Sequence, residues 1–304
     1  GADFIKFQTF KADNLVTKKA IKAPYQRKNS NKKELAQYEM LKKYELSKKK
    51  ITILKKYCNK YNIKFLSSIF DIESFNLLNN INEKYIKIPS SEIDNYPLIN
   101  HLSKFKKKYF LSTGISNIEE INQCVKILTS GKVSMNDIYI LHCNSSYPTS
   151  FEDLNLNNIR TLQQKFNNNI GFSDHSIGIE GAIAAVALGA KVIEKHFTTD
   201  KKLSGPDQKI SLTPLELKLM VSSIRNVEKS LGSFKKQPTK SELKNKVHIR
   251  KSIVAKKDIQ KNQIFTTKNI TTKRPGNGIS PMLWKKVLGK KDEYYSESLV
   301  AKTE

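Results

Sequence analysis

Seven times between residues 4 and 193, a short apolar-rich run stops at a polar residue and gives way to a segment of helical spacing. The runs are 4–7, 63–66, 85–88, 109–111, 138–141, 170–172 and 191–193. The segments between them, 34–62, 72–80, 97–105, 118–128, 157–166 and 177–188, carry apolar residues at helical spacing, and 214–231 closes the series. Strands joined by helices lie parallel, because each crossover brings the chain back to the same end. The predicted fold class is α/β: a TIM (β/α)8-type barrel with its polar strand ends gathered on one rim. Seven is one short of eight. The expectation is a barrel lacking its first strand in this chain, either because a strand precedes Gly1 or because the barrel is open, with exposed edges that destabilise it.

The stretch 170–208 concentrates the chemistry. Its two apolar runs end in Ser173-Asp174-His175 and Glu194-Lys195-His196, with a small-residue helix between them. A strand–helix–strand unit brings both histidines out at the same end, where two imidazoles can share one divalent cation. Asp174 and Asp207 would add charge to that rim. A histidine at a strand end is also an ordinary hydrogen-bonded structural residue, and the residues alone leave both readings open.

Other positions suggest an anion pocket on the same rim. Lys6 and Lys87 sit within strands, where a lysine covered on both faces needs an anion. Hydroxyls recur at strand ends in Ser67-Ser68, Ser90-Ser91, Ser112-Thr113 and Ser145, and Gly114 would let backbone N–H groups approach an anion. Serines there are also ordinary helix caps. The polar stretch 11–33 is long for a strand–helix connection and reads as a functional flap.

The net charge of +26 invites a nucleic-acid reading, yet only five of 54 basic residues are Arg and the lysines are scattered. Base and phosphate readers lean on the arginine fork, so nucleic acid is not the expected partner. No apolar run approaches a membrane span. Cys58, Cys124 and Cys143 share no metal or redox spacing, which suits a reducing cytoplasm. The expected organisation is a barrel domain over 1–231, a polar linker over 232–246, and a small domain over 247–304. The last contains strand-like pieces at 252–255, 257–259, 263–265 and 270–272 and a rigid loop at 274–281 headed by Arg274.

The motifs IKFQTF (5–10), KIPSSE (87–92), LSTG (111–114), LHCNSSYPT (141–149), IGFSDH (170–175), EKHFT (194–198), SGPD (204–207) and KRPGNGISPM (273–282) run through nearly the whole chain. In them the chain resembles the sialic acid synthase (N-acetylneuraminate synthase) family. The resemblance implies a barrel followed by a C-terminal antifreeze-like (SAF) domain rich in short strands. It also implies a homodimer in which each small domain is swapped over the partner's barrel mouth. His175 and His196 would ligate a divalent metal, Mn2+ first, with Mg2+ or Co2+ as alternatives. Lys6, Lys87, Ser112, Ser145 and Ser173, with Ser68 and Ser90 beside them, would bind phosphoenolpyruvate. Gln8, Glu92, Tyr147 and Asp207 would hold the acceptor sugar, and Arg274 would reach its N-acyl group from the partner subunit. Lys87, Glu92 and Asp207 are the candidate catalytic groups. The family's opening strand and acidic E-x-G-x-N-H-x-G loop, with its catalytic Glu, are absent from this sequence.

The implied reaction condenses phosphoenolpyruvate with N-acetylmannosamine and water, giving N-acetylneuraminate and phosphate. One alternative keeps the chemistry and changes the acceptor to a 2,4-diacetamido-trideoxyhexose, giving legionaminate. Tyr147, Gln208 and Arg274 are then the substituent-sensing candidates. A non-catalytic sugar or phosphate binder and a basic nucleic-acid binder are the remaining readings.

Overall fold

The computed structural model describes residues 1–22, 36–166 and 169–291. The chain divides into two units, Gly1–Gly232 and Ser233–Glu304. Among the described residues no helix is long and apolar enough to cross a membrane.

The first unit holds one parallel sheet whose strands follow in chain order: β1 (Phe4–Thr9), β2 (Lys64–Ile69), β3 (Tyr85–Ile88), β4 (Lys108–Ser112), β5 (Ile138–Cys143), β6 (Asn169–Asp174) and β7 (Ile193–Lys195). This sheet is the expected barrel-type α/β fold with seven strands. It is curled, since Lys6 of β1 reaches Glu194 of β7 across the interior at 2.7 Å. Ile86, Ile88, Tyr109, Leu111, Ile138, Ile140, Ile170 and Phe172 face outward into a large core shared with the helices. Phe4, Leu66, Tyr85, Phe110, Tyr139, Leu141 and Val192 face inward and pack together. Phe4 meets Tyr85 edge-on at 4.9 Å and Phe110 stacks on Tyr139 at 4.8 Å, so aromatic rings plug the barrel's amino end. Burial of each fully enclosed side chain contributes about 1.5–3 kcal/mol.

Helices Ile72–Asn80, Ile118–Thr129 and Pro214–Leu231 begin at Asp71, Asn117 and Thr213, whose side chains accept a backbone N–H of the first turn. The helix Glu180–Ala187 buries Ala182 and Val186 against Leu212, Met220 and Ile224, the close approach that its small residues foreshadow.

Several boundaries differ from the sequence-based expectation. The expected strands stop at the first polar residue, whereas Ser67, Ser68, His142, Cys143, Ser173 and Asp174 lie inside strands. The last strand is shifted from 191–193 to Ile193–Lys195, which takes Glu194 and Lys195 into the sheet. At Ser68, Cys143, Ser173 and Glu194 the barrel interior is polar at its carboxyl end, so inward positions there stay polar without ending the ladder, while Ser67, His142 and Asp174 face the other way and hydrogen-bond to Thr9, the Leu154 carbonyl and Ser176. Asp174 does not join the metal rim as expected, because it faces the helix layer. The stretch read as a flap contains a short helix, Ala12–Leu15, and its part 23–33 lies outside the described residues.

In the second unit, the stretch read as a polar linker enters the helix Lys240–Ile249, which starts from a Thr239–Glu242 capping box. Beyond it are two antiparallel strands, β8 (Ser252–Ala255) and β9 (Ile270–Lys273), around a core of Ile253, Phe265, Ile270 and Val287. The expected strands at 257–259 and 263–265 are loop with an isolated bridge from Ile264 to Lys291, and Trp284–Val287 is a short helix.

Candidate active site

Strand alternation builds the site. On the inward face, Lys6, Ser68, Lys87, Ser112, Cys143, Ser173 and Glu194 form a layer above the aromatic plug, and His175 and His196 lie one step nearer the mouth. Seven strands thus deliver side chains to one small volume.

Glu194, a residue with no role expected from the sequence, is the hub of that layer. Its Oε1 lies 2.7 Å from Lys6 Nζ and accepts the Ser173 hydroxyl at 2.8 Å, while its Oε2 is 3.8 Å from Lys87 Nζ. Burial alone would raise the Glu194 carboxyl, but Lys6 and Lys87 outweigh it and hold the group well below the usual carboxylate range. Burial pulls the Lys87 ammonium down to about 8, against the pull of Glu194. Lys87 also donates to Ser112 Oγ. Two lysines against one carboxylate leave a net positive interior, a place suited to an added anion. The signal for Glu194 was available: it continues the period-2 alternation past the last apolar residue of its run.

Beside the lysines, the Gly114 N–H donates to Ser90 Oγ at 2.9 Å. A Cβ at Gly114 would meet Ser145 Oγ and lie 3.0 Å from Ser90 Oγ and 3.4 Å from Cys143 Sγ. The absent side chain leaves a concavity lined by hydroxyls, next to the only residue of the loop, Ile115, held at a left-handed φ of 60°.

The two imidazoles come together as expected, with ring centroids 5.4 Å apart. Tyr147 covers them, 4.2 Å from the His175 ring and 6.1 Å from that of His196. His175 Nδ1 is 2.6 Å from the Asn144 carbonyl, which makes that nitrogen the N–H and leaves Nε2 with its lone pair. Burial lowers both histidines, and Lys6 and His175 help bring His196 down to about 3. Both rings are therefore neutral near pH 7, the state a metal ligand needs. His196 Nδ1 stands 3.8 Å from Asp207 Oδ2, and with the ring neutral this is not an ion pair. Among the described residues no group of three His, Cys, Asp or Glu side chains could hold a metal, so a cation here would take two imidazoles and complete its shell from water or substrate.

The remaining candidates are dispersed. Gln8 stands exposed at the carboxyl end of β1, in register with Ser68. Glu92 is not bonded to the lysines or the imidazoles. Its carboxylate accepts from Ser91 at 2.9 Å and Asn95 at 2.7 Å, and burial raises it. Burial likewise raises Asp207. Gln208 Oε1 is buried and has no hydrogen-bond partner, unlike every other buried side-chain N or O among the described residues. Arg274 belongs to the second unit, exposed at the head of its loop.

Comparison with known proteins adds an independent line. Residues 1–236 match the NeuB family and residues 250–291 match the SAF domain. The chain is 48% identical over 290 residues to the N,N'-diacetyllegionaminic acid synthase of Campylobacter jejuni, covering 95% of this chain and 86% of that protein. It is 40% identical over 291 residues to the N,N'-diacetyllegionaminic acid synthase of Legionella pneumophila, covering 95% and 82%. Among solved structures, it is similar to the N-acetylneuraminic acid synthetase of Leptospira borgpetersenii in complex with citrate. That likeness has a TM-score of 0.70 and 36% identity, covering 80% of this chain and 79% of that one.

Proposed function

This chain belongs to the NeuB family, and from that premise we propose that it is a nonulosonate synthase joining phosphoenolpyruvate to an N-acylated amino sugar. The observation that carries the reading is the Lys6–Glu194–Lys87 cluster lying directly beneath the paired imidazoles of His175 and His196. An anion and an aldehyde bound to those two layers would be held with their reacting carbons adjacent.

In this reading Lys6 and Lys87 neutralise the carboxylate and phosphate of phosphoenolpyruvate, and the Ser90, Gly114 and Ser145 concavity with Ser112 and Ser173 receives the phosphate. His175 and His196 would hold the divalent cation, Mn2+ first, and when bound it would polarise the sugar aldehyde as a Lewis acid. Gln8, Tyr147 and Asp207 orient the sugar, and Asp207, its carboxyl raised by burial, is suited to exchanging a proton with a sugar hydroxyl. Glu92, already engaged by Ser91 and Asn95, orients sugar hydroxyls at most. The methylene carbon of phosphoenolpyruvate bonds to the aldehyde carbon, water adds to the carbon that bears the phosphate, and the C–O bond to phosphate breaks.

For the acceptor, the identities of 48% and 40% to legionaminate synthases favour the 2,4-diacetamido-trideoxyhexose over N-acetylmannosamine. Loops at the barrel mouth expose Ile115, Phe151, Ile177, Phe197 and Leu203, Ile115 to 88%, which supports a homodimer whose partner covers the mouth with its SAF domain. The buried free cysteines suit a cytoplasmic setting.

Phosphate release from phosphoenolpyruvate, measured with each sugar and Mn2+, tests the reading. Faster release with the diacetamido sugar is expected. Faster release with N-acetylmannosamine would reverse the acceptor, and none with either would sink the synthase reading.

A further inference from the structure

Each of the two histidines directly follows one member of a buried ion pair that the proposed chemistry does not use. Asp174 and Lys195 are register partners on β6 and β7, one residue before His175 and His196. Alternation turns the ion pair towards the helix layer and the imidazoles towards the interior. Lys195 Nζ lies 2.8 Å from Asp174 Oδ2 and donates to the Ser176 carbonyl at 2.6 Å. Asp174 Oδ1 accepts the Ser176 N–H at 2.8 Å and its hydroxyl at 2.7 Å. The two side chains are 2% and 0% exposed. Asp174 thus grips the backbone on the far side of His175 and, through Lys195, the residue preceding His196.

A buried ion pair adds little net stability, since desolvation offsets the attraction, and a matched apolar pair would hold two strands as well. What it adds is direction. β7 spans three residues and pairs with β6 alone among the described strands, so within the sheet its register is set from one side only, with the Leu212 N–H adding a bond to the His196 carbonyl just beyond the strand. A one-residue slip would turn His196 to the helix face.

We propose that the Asp174–Lys195 pair is a positioning device that locks β6 and β7 in the register where His175 and His196 face one another across a shared divalent cation. The inference rests on the reading of those histidines as cation ligands. Neither residue of the pair touches substrate; both act through the imidazoles.

The test is a Mn2+ titration of the full chain, read by electron paramagnetic resonance without substrates, alongside thermal unfolding. Parent, His175→Ala, the neutral pair Asp174→Asn with Lys195→Met, and Lys55→Met are compared. The last breaks a second ion pair, half-buried on its lysine side, 3.0 Å from Lys55 Nζ to Glu83 Oε2, away from the histidines. The neutral pair is expected to fold and to bind Mn2+ about tenfold more weakly or worse, the usual cost of losing an outer-shell partner. Lys55→Met is expected to unfold earlier with its Mn2+ affinity unchanged. A folded neutral pair with affinity within twofold of the parent would overturn the inference while leaving the histidine reading standing. If that variant does not fold, Asp174→Asn alone is judged by the same criterion. Parent-like Mn2+ binding by His175→Ala would remove the histidine reading and this inference together.

Discussion

Lys87 is a buried cation whose proton is held loosely, and this has a measurable consequence. With its ammonium lowered to about 8, the free protein loses the positive charge that phosphoenolpyruvate needs as pH rises through that value. We predict that kcat/KM for phosphoenolpyruvate is level below about pH 8 and falls above it, because kcat/KM reports the free enzyme. Lys87→Arg, which stays charged, should abolish that alkaline limb, and Glu194→Gln should move it to lower pH, because the Glu194 carboxylate supports the Lys87 proton. An unchanged limb in Lys87→Arg would assign it to another group. The concavity at Gly114 makes a second prediction: Gly114→Ala places a methyl against Ser145 and Ser90 and should raise KM for phosphoenolpyruvate about tenfold, roughly 1.4 kcal/mol, with the sugar KM nearly unchanged. Steady-state kinetics with one substrate varied at a time checks this. The lysines and the histidines were legible in the sequence because charged or imidazole groups on predicted strands demand partners. Glu194 was legible only through the period-2 alternation, against the simpler reading of a glutamate after an apolar run as the end of a strand. Glu92 is a candidate from its place after β3, and the Ser91 and Asn95 bonds to its carboxylate are local contacts that residue type alone does not disclose.

At the level of elements, existence was readable and extent was not. Helices Ile72–Asn80 and Pro214–Leu231 fall where their apolar spacing places them, and β3 covers the same residues in sequence and structure. The strands entering the polar interior run two or three residues beyond their apolar runs, because ladder bonds are backbone bonds and do not depend on side-chain polarity. The helix Lys240–Ile249 was hidden by its polar composition, although Thr239-Lys-Ser-Glu242 is a capping-box signature. The contact between helices Glu180–Ala187 and Pro214–Leu231 depends on side-chain size. Ala182 is fully buried against Leu212, Met220 and Ile224, so Ala182→Leu is expected to destabilise the chain by about 1–3 kcal/mol, measured by urea unfolding. A neutral result would show slack between the helices.

At the scale of the whole molecule, an apolar rim around a charged cup calls for a cover, and the resemblance supplies one from a second copy. If Arg274 serves the partner's site, then Arg274→Ala and His175→Ala, each weak alone, should complement. A mixed dimer would hold one site free of both substitutions, so activity is expected to appear when the two are refolded together. No recovery would place Arg274 at the site of its own chain. Arg274→Ala by itself should raise the sugar KM more than that of phosphoenolpyruvate. The partner relation is an expectation from the resemblance alone, since nothing in the composition of one chain states where a second one lies. The aromatic plug of Phe4, Tyr85, Phe110 and Tyr139 has its own consequence. It makes the barrel a blind well, so traffic is last in, first out. The three-carbon acid, seated on the deeper lysines, must enter before the sugar closes the shaft above it. Product-inhibition patterns should therefore be those of a compulsory order, and a random order would mean that the well has a second door.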